Sequence, residues 1–107
     1  MEDKTDIKVQ ACELAKALLD SDVNYLDNVI ELWRLGNSFY DERWGTEFHV
    51  FGVIESDTDH LPTEKVRQYC SSMLLERSDK ELKEVVNFYR EDVKKACSEI
   101  LTKYQSA

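Results

Sequence analysis

The string Glu55-Ser-Asp57-Thr-Asp59-His60-Leu-Pro62 sets alternating carboxylates ahead of an imidazole, a pattern that could hold a cation or move protons. Neither chemistry fits in detail. A calcium loop of the EF-hand type needs Gly at its sixth position and a bidentate Glu at its twelfth. Counted from Glu55, those positions hold His60 and Val66, and counted from Asp57 the fifth position is Leu61. His49 and His60 stand eleven residues apart, so a mixed metal site built on them with Glu55, Asp57 and Asp59 is a weak rival reading. Acid and base catalysis by Glu55 and Asp59 would need a concave site that drives two pKa values apart. The chain has no Gly-rich phosphate loop, nucleophile elbow or Ser/His/Asp signature from which to build one. No catalytic residue, metal ligand or cofactor is therefore assigned, and no enzyme is expected. The plainer expectation is that Asp57, Thr58 and Asp59 accept amide hydrogen bonds in a loop and cap the helix after Pro62.

The elements that must carry these residues read as helices. From Thr5, apolar residues at Ile7, Ala11, Leu14, Ala15, Leu18 and Leu19 line one helical face. Asp20-Ser21-Asp22 can end that helix and cap the next, whose stripe runs through Leu26, Val29, Ile30 and Trp33 to a stop at Gly36-Asn37. So short a connection predicts a helical hairpin. Residues 48–54 have the β-branched and aromatic content of a strand, but Trp44, Phe48, Phe51 and Glu55 keep helical spacing, and a lone strand would leave its backbone unpaired. A helix is the choice. A shorter helix is expected from Pro62-Thr63-Glu64, with Val66, Tyr69, Cys70 and Met73 or Leu74 on its inner side. Last, Ser78-Asp-Lys-Glu81 reads as a capping box opening a long helix of ~37 Å at ~1.5 Å per residue, which buries Leu82, Val86, Tyr89, Val93, Cys97, Ile100 and Tyr104. The expected fold is all-α: one domain over 1–107, an antiparallel bundle of about five helices with a long C-terminal helix.

Charge narrows the partners. The chain has 14 basic and 22 acidic residues, a formal charge of −8, which opposes binding to phosphate backbones or anionic lipid. No direct nucleic-acid or membrane contact is expected, and the natural partner is neutral or cationic. The acid is concentrated: residues 1–64 carry net −10 and residues 65–107 net +2, while 41–64 alone hold Asp41, Glu42, Glu47, Glu55, Asp57, Asp59 and Glu64 against Arg43. Tyr40, Trp44, Phe48 and Phe51 are interleaved with them, and aromatic anchors among carboxylates suit binding better than catalysis. Three cysteines at wide spacing give no disulfide framework, and with no signal-peptide pattern a reducing cytoplasm is the expected compartment. A monomer is expected.

The order Trp44, Phe48, Phe51, Ile54, the string from Glu55 to Pro62, then Val66-Arg67, Phe88-Tyr89-Arg90 and Cys97 resembles a family of small bacterial proteins of unknown function with a D/E-S-x-T-D-x-L-P centre. In size, acidity and helical character the chain is also similar to immunity proteins of contact-dependent growth inhibition systems, which neutralise the nuclease toxin of a neighbouring cell. That resemblance implies a protein that binds a cognate basic toxin domain, a nuclease in the first instance. It transfers no residues. The partner-binding positions Tyr40, Glu42, Trp44, Glu47, Glu55, Asp57 and Asp59 come from the charge reading alone. The rival expectation is a helical protein-binding adaptor.

Overall fold

A computed structural model describes residues 4–105. Its elements in chain order are α1 (Lys4–Asp20), α2 (Tyr25–Leu35), a 3-10 turn (Gly36–Ser38), α3 (His49–Asp57), α4 (Glu64–Arg67) and α5 (Ser72–Tyr104). These five α-helices form the single-domain all-α bundle that the periodicity predicts. Among the described residues, no helix is long and apolar enough to cross a membrane.

Most of the α1 and α2 stripes lie where the spacing puts them, but Leu19 is 39% exposed, Leu14 and Ile30 are only half-buried, and Leu32, which the stripe omits, is completely enclosed. Ile7, Ala11, Ala15 and Leu18 are buried on α1, and Leu26, Val29, Leu32 and Trp33 on α2. Their connection differs from expectation. No side chain caps α2; instead Asn24 takes a left-handed conformation at φ 55°, which Asn tolerates better than most residues, and the Tyr25 amide donates to the Asp22 carbonyl at 3.2 Å. Gly36 does not stop the chain in a left-handed cap either, since at φ −55° it continues into the 3-10 turn.

Residues 49–57 are helical, and the spacing that argued for it is visible in burial. Phe48, Phe51 and Ile54 are completely enclosed, packed with Val29 and Leu32 of α2 and Ile100 of α5 in one core. Gly52 allows α2 and α3 to meet. A Cβ there would lie 2.7 Å from ring carbons of Trp33, so the indole occupies the space a larger residue would need.

The C-terminal third is longer than its sequence signal. α5 begins at Ser72, its N-cap Ser71 accepts the Leu74 amide at 3.1 Å, and its 33 residues reach ~50 Å at ~1.5 Å per residue, spanning the molecule's longest extent of 46 Å. The capping box at Ser78 and Glu81 is therefore a correction. Ser78 is buried inside the helix and Glu81 binds His60, because 72–77 contain strong helix formers and no breaker. A second correction concerns α4, a single turn whose supposed inner residues face water: Tyr69 is 82% exposed and Met73 70%, with Val66 and Leu74 close to half exposed. The core is thus assembled around α1, α2, α3 and α5 from Leu82 onward, and the first turns of α5 lie outside it. All three cysteines are unpaired; burial pushes the Cys97 thiol up to about 12.

Candidate functional site

The nine residues of α3, ~13 Å of helix, divide the sequence-selected positions into two groups. Tyr40, Glu42, Trp44 and Glu47 lie before its N-terminus, Asp57 and Asp59 lie at and beyond its C-terminus, and Glu55 sits half-buried on the helix between them. They do not form one continuous patch.

The N-terminal group is held by a tightly bonded loop. Gly45 takes φ +82°, a left-handed turn that Gly adopts without strain, and its amide donates to His49 Nδ1 at 2.9 Å. Thr46 turns the chain back, its hydroxyl donating to the Arg43 carbonyl at 2.6 Å and accepting the Phe48 amide at 3.2 Å. Glu42 Oε1 accepts the Trp44 amide at 3.1 Å. The result is a fixed indole: Trp44 is 46% exposed, with its ring 4.7 Å from Trp33 at 52° and 5.3 Å from His49 at 78°. Arg43, the single cation of 41–64, turns inward. Its guanidinium carbon lies 3.7 Å from the Trp33 ring centroid and its Nη1 donates to the Trp33 carbonyl at 2.8 Å.

Glu47 takes a different role from the one its charge suggests. Its side chain is fully enclosed, so it is not part of a surface a partner could touch. The Tyr40 hydroxyl donates to it at 2.8 Å, Lys103 Nζ donates at 3.2 Å, and the Tyr104 hydroxyl donates to its second oxygen. Burial alone would raise this carboxyl, but the hydrogen bonds from Tyr104, its own backbone amide, Tyr40 and Lys103 outweigh that effect and hold it below the usual carboxylate value. Tyr104 is raised in turn, first by burial and then by its bond to Glu47. Tyr40, proposed from sequence as a contact residue, is half-buried with its hydroxyl committed to Glu47. Beside it an open groove of about 450 Å³ runs between the loop and α5, lined by Thr46, His49, Val50, Lys95 and Glu99 among others.

At the other end of α3 the carboxylates remain exposed. Asp57 accepts from the Tyr89 hydroxyl, a bond that pushes the phenol up to about 12. His60 Nε2 meets Glu81 at 2.8 Å and its Nδ1 lies 3.7 Å from Asp59, while Arg67 pairs with both oxygens of Asp79 at 2.6 and 3.1 Å. Neither Asp57 nor Asp59 caps α4, whose N-cap Thr63 makes no side-chain cap bond, and Thr58 instead donates its hydroxyl to the Ile54 carbonyl at 2.7 Å. The expectation of loop capping is corrected: Asp57 tethers this end of α3 to α5, Thr58 closes the last turn of α3, and Asp59 pairs with the neighbouring His60.

His49 and His60 occupy opposite ends of α3, and among the described residues no three His, Cys, Asp or Glu side chains gather as a metal-binding set. Sequence reasoning gives Glu81, Tyr89 and Tyr104 structural places and Arg67 a place in the resemblance, but it assigns none of them, nor Lys103 or Asp79, to these clusters. Tyr89 and Tyr104 left a signal, phenols on the inner stripe of α5 that would need acceptors. No protein-family model matches the chain, and no curated protein or solved structure matches it either.

Proposed function

We propose that the chain is a cytoplasmic immunity protein, not an enzyme, that binds and neutralises a cognate basic toxin domain, a nuclease in the first instance, through its exposed acidic surface. One observation carries this reading. Asp41, Glu42 and a half-exposed Trp44 stand together on a hydrogen-bonded loop whose single Arg/Lys side chain, Arg43, is folded onto Trp33, so two carboxylates and an aromatic anchor meet the solvent. With Glu47 enclosed and the half-buried Tyr40 bonded to it, two exposed groups remain, Asp41, Glu42 and Trp44 before α3 and Asp57 and Asp59 at and beyond its far end, with the half-buried Glu55 between them.

A nuclease binds phosphate with a cationic cleft, and carboxylates on a rigid support can occupy that cleft or a basic exosite beside it. An acidic inhibitor is steered to such a partner, accelerating encounter by ~10 to ~1,000-fold, and desolvated pairs then hold the complex. The resemblance in size, acidity and helical fold to immunity proteins of contact-dependent growth inhibition supports the same assignment.

Calorimetric titration against the toxin domain encoded beside the gene is the test. Tight binding with an association rate that falls steeply as salt rises is expected; absence of binding would sink the proposal. An adaptor role is the second reading, favoured by Tyr69, Met73 and Phe88, which are 70–82% exposed on the α4 to α5 side. Gene context separates the two, because an immunity gene should adjoin a toxin gene.

A further inference from the structure

We infer that Trp44 and Glu42 form a seat for a single arginine side chain of a protein partner, an inference that rests on the acidic face being the binding surface. The seat is preorganised. Trp33 braces the Trp44 ring from below, His49 bounds it at its edge, and the hydrogen bonds of Gly45, Thr46 and Glu42 fix the backbone that carries it. Little conformational freedom is lost when a partner arrives, which is the property of an energetically dominant contact.

The chemistry selects a guanidinium. It is planar, weakly hydrated and able to lie on an indole face while its edge donates to a carboxylate. Glu42 uses Oε1 to accept the Trp44 amide, which places its second oxygen beside the same residue as an acceptor for a partner's N–H. The molecule contains a related contact, in which Arg43 stacks on Trp33 at 3.7 Å and donates to the Trp33 backbone carbonyl at 2.8 Å. A lysine would bring the charge without the plane. A purely apolar pocket would take Trp44 but bury Glu42 and Asp41 at a cost. Asp41 and Glu42, both exposed beside Trp44, leave a local excess of negative charge over Arg43, and that selects a cation over either neutral occupant.

The test uses blocked hexa-arginine and hexalysine peptides titrated into the full chain at low salt, read by calorimetry and tryptophan fluorescence. The arginine peptide should bind about fivefold tighter than the lysine peptide, the scale of one partly exposed cation–π contact. Trp44→Leu should abolish that preference. So should Glu42→Gln, whose amide oxygen can still accept the Trp44 amide, so that a misfolded Trp44 variant is not mistaken for a lost seat. Equal binding of the two peptides, or a preference that survives either substitution, would overturn the inference. The toxin titration separates this failure from that of the functional reading. A toxin that binds wild type and Trp44→Leu alike, with peptides that do not discriminate, removes the seat and leaves the inhibitor. A toxin that does not bind, with a Trp44-dependent arginine preference, removes the inhibitor and leaves the seat.

Discussion

The two ends of α3 treat carboxylates in opposite ways. At its N-terminal end Glu47 is sealed between the 40–48 loop and the last turn of α5, with two phenols and an ammonium on its oxygens. At its C-terminal end Asp57, Asp59 and the ion pairs of His60 and Arg67 lie in water. Sequence alone weighs these acids equally, as one −1 each. Burial separates them: an enclosed carboxylate must be satisfied by the protein and so becomes a structural part, whereas an exposed one keeps its field for a partner and adds little to stability.

The largest effect should come from removing the sealed group. Glu47→Ala leaves Tyr40 and Tyr104 without their acceptor and opens a void, and about 3 kcal/mol of stability should be lost in urea unfolding. A loss under about 1 kcal/mol would place Glu47 in the same class as the exposed acids. Tyr104→Phe removes one of the bonds and should cost about 1 kcal/mol, while Tyr25→Phe is the control. The Tyr25 hydroxyl is buried with no partner, its phenol raised to about 12 by burial, so deleting that oxygen should be neutral or stabilising.

Acid sharpens the contrast. Because the Glu47 carboxyl is lowered in the folded state, its stabilisation is complete above the ordinary carboxyl value and is lost as pH falls through the folded value. His60 works in the other direction. Its bond to Glu81, helped by the nearby charges of Glu81 and Asp59, raises it, so its small contribution is present below the ordinary imidazole value and disappears as pH rises through the raised one. Urea midpoints measured against pH should lose part of their acid slope in Glu47→Gln, with a further part left from Asp79, whose carboxyl Arg67 also lowers, and none of it in His60→Gln. The smallest effect belongs to the tethers at the far end. Arg67→Ala breaks an exposed pair with Asp79 and should change stability by under about 0.5 kcal/mol.

Sequence made the bundle legible where a residue's fate depends on its near neighbours. Ile7 to Leu18 and Leu26 to Trp33 carry their own periodicity, and Phe48 with Phe51 decided helix over strand. Reading failed where distant residues decide. Glu47 meets Lys103 and Tyr104 more than fifty positions away, and no local pattern announces that pairing. Ser78 looked like a cap because Glu81 stands three residues after it at capping-box spacing, yet Ser71 had already started the helix. Val66, Tyr69 and Met73 had helical spacing without a surface to bury against, so their apolar character predicted an inner face that α4 does not have.

The central claim is that exposed and sealed acids divide binding from stability, and association kinetics with the neighbouring toxin domain test it most directly. Rates should be compared for wild type, Glu47→Gln and the triple variant Glu42→Gln/Asp57→Asn/Asp59→Asn from about 50 to about 500 mM salt, a range over which the Debye length shrinks severalfold. The triple variant should associate several-fold more slowly at low salt and show a flatter salt dependence, while folded Glu47→Gln keeps the wild-type slope. A triple variant with the wild-type slope, or a Glu47→Gln slope as flat as that of the triple variant, would contradict the account.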